Sequence, residues 1–178
     1  MKSIVLSLIA VFTVGTLFAQ SECNMYHKKN CDEGDGTYMK YDSQSKSALI
    51  GKGQTSEFHL VAYHGLDYRV VVCNEENLGD QLQFKVYEKK KMAVEEGEEA
   101  SEEENASTDK AYRTVKELLY DNSTDSYSRM IEFTAENNMR LLIEVTVPGD
   151  EGASKLKIRE TGCVGVLISH IKSNATGF

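Results

Sequence analysis

One pattern limits what this chain can fold into. Apolar and polar residues exchange places with a period of two, in segment after segment. Met139–Val147 is the clearest case: Met139, Leu141, Ile143, Val145 and Val147 fall on one side, Arg140, Glu144 and Thr146 on the other. Strand side chains point to alternate faces, so this alternation predicts strands with one face buried. Ser56–Tyr63 repeats it, with Phe58, Leu60 and Ala62 against Glu57, His59 and Tyr63. Gln81–Glu88 does the same, with Leu82, Phe84 and Val86 against Gln83, Lys85 and Tyr87, and Lys89-Lys90-Lys91 is expected to end it. Arg129–Ala135 carries Ile131, Phe133 and Ala135, and Val164–Ile171 carries Val164, Val166 and Ile168. Tyr68–Cys73 is nearly all apolar or β-branched, as a central strand would be.

Shorter candidates are Thr37–Tyr41, Ser47–Ile50 and the pair Leu156 and Ile158. Tyr112–Tyr120 fits a helix through Ala111, Val115, Leu118 and Leu119, and a strand through Thr114, Val115 and Tyr120; its β surroundings favour the strand. His64-Gly65, Gly79, Glu136-Asn137-Asn138 and Pro148-Gly149 supply turn chemistry, and Gly51–Ser56 reads as a hairpin turn. Roughly eight to ten short strands in one chain predict an all-β antiparallel sandwich.

The quoted strand segments bear a resemblance. Phe58–Val72, Gly79–Glu88 and Ile131–Ala135 with Leu141–Val145 resemble, in order, the strands of bacterial pre-peptidase C-terminal domains and the related GOLD-type sandwiches. The resemblance implies a jelly-roll-like module of secreted or luminal proteins that binds rather than catalyses.

The first nineteen residues read differently. Lys2 is the only charge before Glu22, and Ile4–Ala19 is apolar apart from small or polar residues. A positive start, an apolar core and a small residue at the cut describe a secretory signal peptide over 1–19. Residues 20–36 then form a polar N-terminal loop, and 37–178 the sandwich, with no transmembrane segment after cleavage. A lipid anchor at Cys23 fits poorly, because Gln20-Ser21-Glu22 precedes it. The expected location is secreted or periplasmic.

Four cysteines follow the leader: Cys23, Cys31, Cys73 and Cys163. An even number in an oxidising compartment predicts two disulfides. Of three possible pairings, Cys23–Cys31 with Cys73–Cys163 is favoured: one closes a short loop and the other joins two strands. No Cys-x-x-Cys or paired histidines suggest zinc.

The formal net charge is −8, and loss of Lys2 makes it −9. Seven glutamates lie in Glu95–Glu104, inside an acidic insertion near 92–109 that is expected to be a mobile excursion. The remainder is nearly neutral, and no nucleic-acid partner is expected.

Candidate chemistry is sparse. Asp32-Glu-Gly-Asp-Gly-Thr offers Asp32 and Asp35 as calcium ligands, but the alternate ligands and distant glutamate of an EF-type loop are missing. Otherwise no cofactor is expected. His27, His59, His64 and His170 are scattered, and no Gly-x-Ser-x-Gly motif occurs. Nine tyrosines and no tryptophan leave Tyr63, Tyr68 and Tyr87 as candidate faces for a sugar or protein ligand. Asn105, Asn122 and Asn174 sit in Asn-x-Ser/Thr sequons. The residues support a non-enzymatic secreted or periplasmic binding module with a protein or glycan partner. The alternatives are a small hydrolase or metal-dependent enzyme, and a structural envelope or matrix component.

Overall fold

A computed structural model describes residues 23–32, 38–93, 112–149 and 160–173. Within them the chain forms nine strands, one turn of α-helix and two short 3-10 turns, Glu76–Leu78 and Asn122–Thr124. In order these are α1 (Tyr26–Asn30), β1 (Lys40–Tyr41), β2 (Lys46–Gly51), β3 (Thr55–Ala62), β4 (Leu66–Asn74), β5 (Gln83–Ala93), β6 (Tyr112–Asp121), β7 (Met130–Thr134), β8 (Met139–Thr146) and β9 (Thr161–Lys172). Every pairing is antiparallel. One sheet runs β1-β9-β4-β7, with β2 also on β9; the other runs β3-β8-β5-β6. The expected all-β sandwich is what forms.

The alternating residues meet between the sheets. Phe58, Leu60, Phe84, Val86, Leu141, Ile143 and Val145 come from one sheet, and Ile50, Tyr68, Val70, Val72, Val164, Val166 and Ile168 from the other. Burial of such side chains contributes about 1.5–3 kcal/mol each, which makes this layer the main source of stability. The ambiguous segment at 112–120 is strand, as favoured.

Several expectations need correction. Residues 20–36 are not simply a loop, because Tyr26–Asn30 makes a helical turn. The candidate at Thr37–Tyr41 shrinks to Lys40–Tyr41. The turn at Gly51–Gln54, closed by Gln54 N–H on the Gly51 carbonyl, does not make a hairpin: β2 pairs with β9 and β3 with β8, so it is a corner between sheets. Lys89-Lys90-Lys91 does not end β5, which continues to Ala93. Lys90 Nζ lies 3.2 Å from Glu88 of its own strand and 2.5 Å from Glu117 of the facing one, so the middle charge of the run is paired. The leader, Leu156 and Ile158, Asp35, Asn105, Asn174 and residues 94–109 of the acidic insertion lie outside the described residues.

The disulfides are Cys23–Cys163 and Cys31–Cys73, not the pairing favoured from sequence. The reason is α1. It lies across the outer face of β9, and each cysteine flanking it meets a different strand. The approach is close: a Cβ on Gly165 would stand 2.7 Å from the Cα of His27, so only glycine fits beneath the helix. Val71, Leu167 and Tyr26 pack beside Cys31 and Cys73, giving β4 and β9 a second buried face. The helical turn is therefore a strap, covalently fixed at both ends.

Candidate interaction surface

The outer face of the β3-β8-β5-β6 sheet holds the densest set of functional groups among the described residues. Glu57, His59 and Val61 of β3 alternate with core residues and so point outward. Glu57 is paired with Glu144 of β8, and His59 with Leu142. Leu142 is in turn paired with Tyr87 of β5, and Tyr87 with Leu118 of β6. Two carboxylates directly opposite one another would repel. Lys116 resolves this: its Nζ lies 2.9 Å from Glu144 Oε1 and 3.1 Å from Glu57 Oε1. These contacts, with Glu144 first, raise the Lys116 pKa, and the hydrogen bond from Lys116 holds the Glu57 carboxyl below its ordinary value. The ammonium also sits 6.0 Å from the centre of the Tyr87 ring. Leu142 is 0 % exposed although it faces away from the core. Lys85 and Asp121 make a further ion pair at 3.2 Å. The Asp121 pKa falls to about 2, chiefly through a hydrogen bond from the Ser123 side chain.

Beyond this anchor the sheet narrows. Pairing of β5 with β8 ends at Glu88, whereas β5 and β6 stay paired from Lys89–Lys116 to Ala93–Tyr112. A register shift between Val86 and Tyr87 comes just before this two-stranded ribbon departs, and a bulge of this kind increases the local bend and twist. Met92 and Tyr112 lie on the ribbon, and Leu118 and Leu119 at its base on β6, with Tyr112 55 % and Leu118 52 % exposed. Lys90, Glu88 and Glu117 satisfy one another on the face that Met92 shares, opposite Tyr112 and Leu118.

The tyrosines singled out from sequence do not converge. Tyr87 is on the outer face just described. Tyr68 is 0 % exposed and stacks on Phe133 at 5.5 Å, so it presents no face to a ligand. The nearly continuous apolar run of β4 hid this, because such a strand has no outward side to read from alternation. Tyr63 is exposed at the end of the sandwich, and its backbone N–H donates to the Tyr68 hydroxyl at 2.9 Å. Asp32 is exposed beside Cys31. Among the described residues no group of three or more His, Cys, Asp or Glu side chains could hold a metal ion.

Two histidines that sequence left scattered are held in place. His170 Nδ1 donates to Asp42 Oδ2 at 3.0 Å at the end of the sandwich. His27, 4 % exposed, lies under the strap: Nδ1 is 2.7 Å from Ser47 Oγ and Nε2 is 3.1 Å from the Tyr41 hydroxyl. A serine beside an imidazole suggests nucleophilic chemistry. Here, however, Ser47 Oγ also accepts the His27 backbone N–H at 2.9 Å, and the stacked Tyr41 ring covers the histidine. The group works as a latch that seats α1 against β1 and β2. Burial lowers the His27 pKa, and Lys28 lowers it further.

No family model and no curated protein matches this chain. A solved structure that does match is that of Aeromonas hydrophila PliG, a periplasmic lysozyme inhibitor of g-type lysozyme. It is 14% identical, with a TM-score of 0.39, over 71% of this chain and 84% of that one. Among the described residues, no helix is long and apolar enough to cross a membrane.

Proposed function

We propose that this chain is a non-enzymatic binding module that works outside the cytoplasm, secreted or periplasmic, and that it engages a protein partner through the β5–β6 ribbon. The observation that carries this reading is the ribbon itself. It leaves the sandwich with Met92 and Tyr112 exposed, and Leu118 and Leu119 exposed at its base, while the polar groups there are already paired. Exposed apolar side chains rimmed by satisfied charges suit a protein surface better than a small solute. Two disulfides support an oxidising compartment, because such bonds rarely persist in the cytosol.

The test is comparative affinity capture from an extracytoplasmic extract, using the wild-type chain and the ribbon variants Leu118→Asp and Tyr112→Ser. We expect a protein retained by the wild type and lost from both variants, with folding of the variants checked by circular dichroism. A partner held equally by all three would remove the ribbon from the proposal. No retained protein, together with turnover of a generic ester or peptide substrate, would replace the proposal with an enzyme.

A further inference from the structure

The disulfide connectivity is nested: Cys31–Cys73 lies inside Cys23–Cys163. We infer from it that the chain is a substrate of thiol–disulfide isomerisation, and that its native bonds are reached by exchange from a local, non-native pair. The cellular setting of this step rests on the export proposed above; the chemistry does not.

Two observations point the same way. The first is chain length. Cys23 and Cys31 stand eight positions apart, whereas their native partners are 140 and 42 positions away. With closure probability falling as the three-halves power of loop length, Cys23 meets Cys31 about seventy times more readily than Cys163, and Cys31 meets Cys23 about twelve times more readily than Cys73. The second is the sheet. Cys73 of β4 is paired with Gly165 of β9, so Cys163, two residues along the same strand, is its diagonal neighbour on the same outer face. Diagonal neighbours lie about 7–8 Å apart, so these two cysteines are held close on one face and a bond between them forms while the strands can still shift, before the sheet is fully set. The main core lies on the opposite face of these strands, so the sandwich can assemble while the strap is loose. The strap's two cysteines then find each other, and so do the sheet's two.

Conversion between the pairings is balanced and needs no net oxidant. A thiolate from a dithiol co-reactant attacks Cys23 of the local bond, forming a mixed disulfide and releasing the Cys31 thiolate. Cys31 attacks Cys73 of the Cys73–Cys163 bond, forming Cys31–Cys73 and releasing the Cys163 thiolate. Cys163 attacks the mixed disulfide at Cys23, forming Cys23–Cys163 and regenerating the dithiol's thiolate. Two disulfides enter and two leave.

The reduced, unfolded full chain is diluted into diamide without thiol, or into the same oxidant followed by reduced glutathione with a catalytic amount of a Cys-x-x-Cys isomerase. Acid-quenched samples are digested with trypsin without reduction and weighed. Cleavage after Lys28, Lys29, Lys40, Arg69, Lys85, Arg159 and Lys172 places the four cysteines on four different peptides, so each pairing has its own mass. Cys23–Cys163 also forms by default whenever Cys31–Cys73 closes first, so we expect the thiol-free arm to hold Cys23–Cys31 in roughly tenfold excess over it, and the exchanging arm to convert it to the nested pair. Nested bonds dominating without thiol would overturn the inference, as would local bonds that the isomerase leaves unchanged. In the Cys31→Ser/Cys73→Ser chain no competitor exists, and Cys23–Cys163 is expected to form equally in both arms; a persistent need for the isomerase there would also overturn it. None of these readouts depends on where the protein is located or what it binds.

Discussion

Asn122 shows how one residue can be misread from its neighbours and understood from its bonds. Its Asn-Ser-Thr context is a sequon. In the fold its side chain is fully buried: Oδ1 accepts the Phe84 N–H at 2.8 Å, and Nδ2 donates to the carbonyls of Leu82 at 2.9 Å and Ser128 at 3.1 Å. It joins the start of β5 to the turn after β6, and it cannot carry a glycan while the protein is folded. Asn122→Ala would leave one donor and two acceptors unmet, so we expect a loss of about 3 kcal/mol or more in urea unfolding. A loss below about 1 kcal/mol would mean that water replaces the amide. His27 gives a pH-dependent counterpart. Its pKa in the fold lies below the ordinary 6.5 because burial disfavours the imidazolium. The stabilisation from the neutral ring is therefore complete above pH 6.5 and is lost as pH falls through the folded value. The thermal midpoint should drop between pH 7 and 5 more in the wild type than in His27→Gln; equal slopes would show that another group titrates.

At the scale of the element, the ribbon depends on a charge placed two strands away from its partner. Lys116 ties β6 to Glu144 on β8 and Glu57 on β3. These groups are partly exposed, so the effect on global stability is small, under about 1 kcal/mol for Lys116→Met. The local effect is larger in kind. Hydrogen exchange over Thr114–Leu118 should speed up in that variant, and in the wild type at high salt, with the core strands unchanged. The Glu57 carboxyl should rise toward its ordinary range in a titration followed by NMR, because Lys116 is the main cause of its depression. Unchanged exchange would mean that backbone pairing alone fixes the ribbon.

The same element shows what sequence can and cannot convey. β3, β5 and β7 were legible because each has one wet and one dry face, and alternation reports that directly; in β8 and β9 the core-facing residues still alternate, although part of the outer face is buried too. Leu142 was not: it faces outward between His59 and Tyr87 and is nonetheless fully buried. Lys89-Lys90-Lys91 looked like a terminator, since neighbouring charges in sequence repel; in a strand they point to opposite faces, and Lys90 finds two glutamates. The strap was illegible for a different reason. Five residues make little more than one helical turn, too few for a 3.6-residue period to show.

Over the whole molecule, stability is divided between a core that the sheets build themselves and two covalent ties that hold the strap. On the chain-entropy account, the 42-residue span of Cys31–Cys73 contributes about 4 kcal/mol and the 140-residue span of Cys23–Cys163 about 5 kcal/mol. We expect Cys31→Ala/Cys73→Ala to lower the unfolding free energy by nearly that amount while the β-sheet circular dichroism signature is kept. Loss of all folded signal would show that the sandwich cannot stand without its strap. The pairing of cysteines lay beyond sequence because it depends on where α1 crosses β9, a relation that only the folded sheet defines.

The outer tie also decides how the protein carries a load. Tension applied between the segment entering Cys23 and the end of β9 at Lys172 passes through the sulfur bridge at Cys163 and along a few residues of one central strand. The 140 positions between the bridged cysteines lie off that path. Pulled between Cys23 and Lys172, the oxidised protein can lengthen by only the short stretch after Cys163, and the rest of the sandwich stays slack within a covalent loop. Reduction turns the same molecule into one that can be drawn out along nearly its whole contour.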